Sequence, residues 1–471
     1  MELSTPPVSN RYRILTLFIL ILAIALRIEL VSVNREANDD HYEVVSLILK
    51  NGALPEKNNC WECFQPKLFH YTTAQVLQII QSDTAYREED IILVGEWLNV
   101  ISGILTLLVL KEFINHLPEK SETLKLLAFG LLALNPKLIG INAQATNDSF
   151  AILFSTLALY TMLLFLQKQK VSTFLWMLLF CLLGISSKTN VWITAMAIPV
   201  VLLIKGWLQT KQGTKCLLLG ILFLAATAVL SILNPLNQYV FNYQEYGSPV
   251  LMNIGRQPFP HFAEKTEVKR PGILSIADGY FTFKFYDLLK YPLIENGNEY
   301  HANRTSLWTQ LYGRGHSVHF DNWPPSWSTQ DDRNYTLTRA IFILALLPTV
   351  LFLFGAAAEG AILLKSIIKR TQDLAATLAY GLPVVTFLGY IGFMVLYSLL
   401  YRDFAVMKAI FIFPALICYH VFFLRAAEKL ISCILHRFPW IQRVLIGWIV
   451  CLLVLYTIDI LTMIQLIYSR M

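Results

Sequence analysis

The chain has 471 residues, of which 55% are hydrophobic and only 15% are charged, and its mean hydropathy is +0.52. Soluble domains carry about a quarter charged residues, so this composition excludes an ordinary soluble protein. The formal net charge of +6 comes from basic residues in short loops between apolar runs. We interpret these residues as membrane-surface anchors and not as a nucleic-acid-binding surface.

Apolar runs of about twenty residues recur along the whole sequence, and each is long enough to cross a hydrocarbon core of roughly 30 Å. The sequence therefore predicts an all-α polytopic membrane protein with about eleven membrane-spanning helices. They lie near 14–33, 91–110, 124–141, 149–166, 173–187, 190–204, 216–233, 339–364, 374–400, 404–424 and 443–468. No small-residue cleavage site follows the first run, so we expect it to remain as an anchor.

The short loops predict the orientation, because lysine and arginine concentrate on the inner side of a membrane. Arg11 and Arg13 precede the first run, and every second short loop carries further basic residues. This pattern leaves two segments outside, residues 34–90 and 234–338. We divide the chain into an N-terminal membrane module (1–233), with a catalytic first outer loop at 34–90, a large outer loop (234–338) and C-terminal membrane helices (339–471).

The first outer loop carries the acid pair Asp39 and Asp40, followed by His41. An isolated pair here would be interpreted as a helix cap, because Asp is favoured at the N-cap and apolar residues follow at helical spacing. The segment "ECFQPKLFH" follows in the same loop and adds further polar residues. They are Glu62, Gln65, Pro66 and Lys67.

Three more outer turns carry ionisable residues at the membrane surface. The turn "NPKLIGINAQATNDSF" contains Asp148, "GISSKTNVW" contains Lys188, and "YRDFAVMKAIFIFPAL" contains Arg402 and Lys408. Ionisable groups at such depth are costly and usually face a cavity or a partner. Together they predict an anionic ligand at the outer face, with cations that bind phosphate and acids that carry out proton chemistry.

Two other polar groups of the outer loops are interpreted more plainly. Cys60 and Cys63 lie where oxidation is permitted, so they form either a disulfide or two free thiols in preference to a zinc site. Three histidines and one aspartate of the second outer loop have a spacing that loosely resembles that of metal ligands. We interpret the histidines as solvated loop residues, so we predict no metal site. The residues concerned are His301, His316, His319 and Asp321.

The second outer loop also contains "DGYFTFKFYDLLKYPLI", in which apolar residues alternate with lysines. The spacing predicts one amphipathic helix that lies on the membrane surface. Its apolar face would contain Phe281, Phe285, Leu288 and Leu289, and its lysines are Lys284 and Lys290.

The order of these motifs resembles that of the GT-C superfamily of glycosyltransferases. It is similar to the branch of protein O-mannosyltransferases and lipid A aminoarabinose transferases, whose members have an acid motif after the first helix and a Pro-Pro-Leu-Tyr type segment in the first loop. They also have an Asn-Asp before a later helix and a lysine after a glycine-containing turn. The resemblance covers residues 1–205 and recurs at 401–416.

The resemblance implies a GT-C fold and a polyprenyl-phosphate sugar donor, similar to dolichyl-phosphate-mannose, used with inversion at the anomeric carbon. It implies that Asp39 is the base, that Asp40 positions His41 or a cation, and that Asp148 is the reserve base. We expect the donor phosphate to contact Lys188, Lys67, Arg402 and Lys408. The reaction requires neither a nucleotide nor, of necessity, a metal ion.

The chain departs from the family where Pro66-Lys67 replaces Pro-Pro and where Phe64 and Gln65 replace the acid-lysine pair of the aminoarabinose branch. Two interpretations stay open: Lys67 supplies the lost charge, or Glu62 and Lys67 are ordinary loop residues. The large outer loop is too short for the additional sugar-binding domain of the protein mannosyltransferases, so a protein acceptor is not implied.

Two other functions remain as alternatives, a lipid-linked glycan polymerase or ligase and a glycolipid transporter or flippase. The expected partners are a lipid-linked sugar, the membrane, and an acceptor that is a glycan, a lipid or a protein. Nucleic acid is not expected. The preferred location is the bacterial plasma membrane, with the endoplasmic reticulum membrane as the alternative.

Overall fold

The structure is a computed structural model, and every regular element that it describes is helical. The residues that it describes are 9–34, 40–81, 86–117, 119, 121–209, 213–251, 276–292, 306–317, 335–370, 374–401, 408–433 and 438–469. Two residues of the predicted site, Asp39 and Arg402, lie outside these ranges.

The α-helices of the N-terminal part are α1 (Asn10–Val33), α2 (His41–Asn51), α3 (Leu68–Ile80), α4 (Glu88–Asn115), α5 (Glu122–Ala133), α6 (Pro136–Asn142), α7 (Asp148–Lys168), α8 (Val171–Ser187), α9 (Trp192–Leu208) and α10 (Gly213–Leu233). Those of the outer loop are α11 (Tyr239–Tyr246), α12 (Ile276–Phe281), α13 (Phe285–Lys290) and α14 (Leu307–His316). The C-terminal helices are α15 (Tyr335–Lys369), α16 (Leu374–Tyr401), α17 (Leu416–Cys433) and α18 (Pro439–Tyr468).

Among the described residues, 9 helices or helical segments are long and apolar enough to cross a membrane, or up to 10 if the bent pair α5 and α6 is one span. The pair bends by 50° because Pro136 starts a new helix there, and the Asn135 side chain caps it by accepting from the Leu138 N–H at 2.9 Å. Helix α8 has 17 residues and is shorter than these spans. The protein is a polytopic membrane protein, and the count of about eleven spans stays a prediction.

The spans form one continuous apolar core, in which α7 is mostly buried and α10 lies at the periphery. Two of the described spans are in backbone contact at Gly355 of α15. A Cβ atom at this position would lie 2.0 Å from the Phe422 carbonyl oxygen of α17. Only glycine permits this contact, so α15 and α17 are packed with their backbones together.

The segment that we predicted as the first outer loop forms a small helical unit of its own at one end of the spans. Helices α2 and α3 pack against each other through a separate apolar cluster, which includes Val44, Ile48, Ala74 and Leu77. This unit holds residues 40–81 in a defined position next to the ends of α4 and α8.

The prediction of a single amphipathic helix in the second outer loop is wrong. Two short helices, α12 and α13, are separated at 282–284, where the Lys284 N–H donates to Thr309 Oγ1 at 2.8 Å and Ser306 Oγ donates to the Thr282 carbonyl at 2.5 Å. These bonds tie the break to α14. The apolar face is divided as well, because Leu288 is fully buried whereas Phe281 is 85% exposed.

Candidate active site

Of the acid pair Asp39 and Asp40, the structure describes Asp40, which occupies the N-cap position of α2. It is exposed, and its side chain forms no capping hydrogen bond to the helix. The next residue, His41, begins α2 and is buried. Helix capping therefore does not account for Asp40, and the loop presents its carboxylate at the surface.

A buried histidine pair joins α2 to α3 directly beside this acid. His41 Nδ1 and His70 Nε2 are 2.9 Å apart, and the two rings stack with centroids 5.1 Å apart. Burial, reinforced by His41 and Lys67, holds the pKa of His70 well below its usual range. His70 was not among the predicted site residues, although the segment "ECFQPKLFH" ends on it.

Phe69 extends this pair towards the third predicted segment. Its ring meets His70 and Phe150 edge to face, with centroids 5.5 Å and 5.4 Å apart. Phe150 lies in the first turn of α7, two residues after Asp148. The start of α2 and the start of α7 are thus connected through packed aromatic rings.

The segment 60–67 folds back on itself. Cys60 and Cys63 form a disulfide with their Cα atoms 5.1 Å apart, and Gln65 Nε2 donates to the Glu62 carboxylate. Lys67 is fully buried, and its Nζ donates to the carbonyls of Cys63 and Gln65 at 2.5 Å and 2.7 Å. This geometry favours the interpretation of Lys67 as a loop residue, while its contact with a donor phosphate stays a prediction.

Asn147 joins three of the predicted segments. It is fully buried, and its Nδ2 donates to Gln65 Oε1 at 2.5 Å and to the Ser187 carbonyl at 2.9 Å. The first outer loop, the start of α7 and the end of α8 therefore meet at one amide group. Sequence reasoning noted the Asn-Asp motif but did not assign this bridging role to its asparagine.

The next residue, Asp148, forms an ion pair with Lys188, and both side chains are nearly buried, with 8% and 13% exposed. Lys188 Nζ also lies 5.4 Å from the centroid of the Phe411 ring. Asn190 Nδ2 donates to the Phe411 carbonyl at 3.3 Å, and the Phe411 N–H donates to the Lys408 carbonyl at 3.1 Å. The turn at 408–411 thus lies against the turn at 188–190.

Buried polar side chains of α1 and α4 hydrogen-bond to the segment that precedes Asp148. Asn99 Nδ2 of α4 donates to the carbonyls of Gln144 and Thr146 at 2.5 Å and 2.6 Å. Arg27 of α1 is fully buried, and its Nε donates to Asn142 Oδ1 at 2.9 Å. The predicted spans α1 and α4 therefore act as supports of the site, which hydropathy alone does not reveal.

His316 differs from the prediction of a solvated loop histidine. It is buried at the end of α14, with Nδ1 2.5 Å from the Tyr456 hydroxyl and Nε2 3.0 Å from Thr349 Oγ1. The prediction was wrong because the loop folds into the bundle at this point. His301, His319 and Asp321 lie outside the described residues, and within the described residues no three His, Cys, Asp or Glu side chains form a metal-binding group.

Residues 88–233 match the family model described as dolichyl-phosphate-mannose-protein mannosyltransferase. The predicted resemblance to GT-C glycosyltransferases is confirmed. The matched segment contains Asn147, Asp148 and Lys188, and it begins at residue 88, after the acid pair and the segment 60–67 of the first outer loop. Among curated proteins, none matches this sequence.

Solved structures similar to this chain include the S. cerevisiae protein O-mannosyltransferase Pmt1-Pmt2 complex bound to the sugar donor, with 13% identity, 57% of this chain and 38% of that chain covered, and a TM-score of 0.41. The Archaeoglobus fulgidus oligosaccharyltransferase is 13% identical. The match covers 94% of this chain and 53% of that chain, with a TM-score of 0.49. ArnT from Cupriavidus metallidurans bound to undecaprenyl phosphate is 12% identical. The match covers 82% of this chain and 79% of that chain, with a TM-score of 0.35. The chain thus spans 38% and 53% of the lengths of the first two proteins.

Proposed function

We propose that the chain is a membrane glycosyltransferase that transfers a sugar from a polyprenyl-phosphate donor to an acceptor at the outer face of the membrane. The observation that carries this proposal is the meeting of four outer segments: Gln65, Asn147 and Lys188 belong to three of them, and Phe411 to the fourth. The cluster brings one cation, Lys188, and one acid, Asp148, next to the first outer loop. Transfer of a sugar from a lipid phosphate requires such groups at one place.

Lys188 is the proposed contact to the donor phosphate. Its ammonium lies in a nearly buried position at the outer end of α8, where an ion pair with phosphate is strengthened by the low dielectric. When the bond between the anomeric carbon and the phosphate oxygen breaks, the polyprenyl phosphate leaves with an additional negative charge. A cation at this point stabilises that charge, and Lys408 and Arg402 are proposed to assist.

The base is proposed to be a carboxylate of the first loop. Asp39 takes the proton of the acceptor hydroxyl as its oxygen attacks the anomeric carbon from the side opposite to the phosphate, so that the configuration inverts. Asp40 positions His41 or a cation, and Asp148 is the reserve candidate. His41, Glu62, Gln65 and Pro66 complete the loop around these acids.

The transferred group is proposed to be a hexose or a pentose, and the acceptor is a glycan, a lipid or a protein that reaches the outer face of the bacterial plasma membrane. A polymerase or ligase of lipid-linked glycans would use the same donor chemistry, so product analysis separates it from a simple transferase. A transporter or flippase would move the donor without breaking its bond to phosphate. Mass spectrometry of the lipid that copurifies with the protein would distinguish phospholipid from a polyprenyl-phosphate sugar.

Lys188→Ala is expected to weaken the binding of polyprenyl phosphate by about tenfold or more, because hydrogen bonds to charged groups are worth about 1.5–3 kcal/mol. Lys188→Arg keeps the charge and is expected to retain part of the affinity. The measurement is a titration of the purified protein in detergent with polyprenyl phosphate. Inorganic phosphate serves as the comparison ligand, and it is expected to bind more weakly because it has no lipid chain.

The matched control is Lys170→Ala, which removes an exposed lysine at the other end of α8 and is expected to leave the affinity unchanged. An unchanged affinity in Lys188→Ala would contradict the role of Lys188. Equal binding of inorganic phosphate and polyprenyl phosphate by the unsubstituted protein would contradict the lipid donor.

A further inference from the structure

The proposed cation of the donor site already has an anionic partner within the protein. Lys188 pairs with Asp148, and the two side chains are only 13% and 8% exposed. A donor phosphate has to compete with this carboxylate for the same ammonium, or share it. In a nearly buried site the choice of partner has a large effect on affinity, because neither charge is well solvated.

We propose that Asp148 is a built-in competitor of the donor phosphate, so that the carboxylate and the phosphate compete for the Lys188 ammonium. This inference rests on the proposed function and concerns the regulation of the same site. The apparent affinity for the donor is then reduced by the fraction of molecules in which Lys188 is held by Asp148. Binding of the donor in turn releases the Asp148 carboxylate.

The surrounding contacts permit this exchange without a rearrangement of the backbone. Asn147 is fixed by its bonds to Gln65 and Ser187, and the Lys188 N–H donates to the Gly184 carbonyl at 2.9 Å. Only the side chains of Asp148 and Lys188 have to move.

Asp148 also has a second source of stabilisation when Lys188 leaves it. It is the first residue of α7, a helix of 21 residues, and a carboxylate in the first turn interacts favourably with the helix dipole and with the open N–H groups. The released carboxylate is therefore not left without compensation. A competitor that can be released in this way suits a site that has to bind and discharge a lipid phosphate in every cycle.

The exchange also has a consequence for product release. After transfer, Asp148 competes with the polyprenyl phosphate for the ammonium. The carboxylate thus weakens the binding of the product.

The test is a double-mutant cycle on Asp148 and Lys188, with polyprenyl phosphate titrated into the purified protein. Asp148→Asn keeps the shape of the side chain and removes its charge, so it is expected to tighten binding on the order of tenfold, the factor that corresponds to 1.4 kcal/mol. In the Lys188→Ala background the same substitution is expected to have a much smaller effect, since only the direct repulsion between the carboxylate and the phosphate remains. Asp148→Ser is expected to tighten binding as Asp148→Asn does. Thermal melting shows which of the two variants are folded, and the affinity is compared in a folded one.

The matched control is Asp90→Asn, which breaks the Arg87 to Asp90 ion pair near the start of α4 and is expected to leave the affinity unchanged. Weaker or unchanged binding in folded Asp148→Asn and Asp148→Ser would overturn the inference, because a carboxylate that only orients Lys188 would produce that result. Equal tightening with and without Lys188 would overturn it as well. If the unsubstituted protein bound no polyprenyl phosphate, the proposed function itself would fail.

Discussion

Asp39 is the residue on which the proposed chemistry depends most directly. It precedes Asp40, whose side chain does not cap α2, and it corresponds to the first acid of the motif that the sequence resembles. Asp39→Asn is expected to lower the rate of transfer by about a hundred- to ten-thousandfold while the affinity for the donor stays nearly unchanged, because Asn keeps the shape and loses the basicity. A transfer assay combined with a donor titration measures both quantities.

Asp40→Asn and Asp148→Asn are the comparison variants for this assay. Near-normal turnover in Asp39→Asn together with an inactive Asp40→Asn or Asp148→Asn would move the base to another carboxylate. If all three variants transferred sugar at the normal rate, the enzyme proposal would be wrong.

Among the secondary-structure elements, α14 departs most from expectation. The segment lies in a loop that we predicted to be outside the membrane helices, yet it folds into a helix whose residues are mostly buried. Asn135 Nδ2 donates to the Gly315 carbonyl at 2.9 Å, and His316 contacts Tyr456 and Thr349. The loop thereby contacts the bend between α5 and α6 and holds it in place.

The burial of His316 makes the stability of this element depend on pH. Burial lowers the pKa of His316 to about 4, below the ordinary value of about 6.5 that applies to the unfolded chain. Between these two values the unfolded state binds more protons than the folded state. The free energy of unfolding is therefore expected to fall as the pH falls from 6.5 towards 4, by up to about 1.4 kcal/mol per pH unit.

Thermal denaturation in detergent at pH 7.5 and pH 5 is the measurement, and His316→Gln is the comparison. Glutamine does not titrate, so the variant is expected to lose less stability on acidification than the unsubstituted protein. The same loss in both proteins would show that another group is responsible.

At the scale of the whole molecule, a charge cluster joins the long spans α15 and α17. Glu359 is almost fully buried, and its Oε1 accepts from Arg425 Nε at 3.1 Å and from Lys429 Nζ at 3.2 Å. The same two helices are in backbone contact at Gly355. The C-terminal part of the bundle is thus held by a close approach of two backbones and by one shared carboxylate.

Glu359→Gln is expected to lower the free energy of unfolding by about 1–3 kcal/mol. This is less than the 3–5 kcal/mol typical of a fully buried pair, because Arg425 and Lys429 keep contact with solvent. The midpoint of thermal denaturation in detergent measures the loss. Lys365→Gln changes an exposed residue of the same helix, and a loss of equal size in this control would show that the cluster has no special role.

The fold class could be predicted from the sequence because a bilayer imposes a local rule: an apolar run of about twenty residues has to form a helix to satisfy its own backbone. The candidate turns at 147–148 and 188 could also be selected from the sequence, since their polar residues stand out against apolar neighbours. We predicted one span over 124–141 from the sequence and missed the bend at Pro136, although its cause is local, because proline begins a helix and does not continue one.

Only the tertiary structure could decide which of these turns touch. Gln65 and Asn147 are 82 residues apart in the chain, and Asp148 and Lys188 are 40 apart, so their contacts depend on how α3, α7 and α8 pack. The burial of Lys67 and His316, the pairing of His41 with His70, and the division of α12 from α13 have the same origin. Hydropathy and helix signals report the surroundings of each residue along its own helix, whereas the neighbours across helices are selected by the packing of the whole bundle.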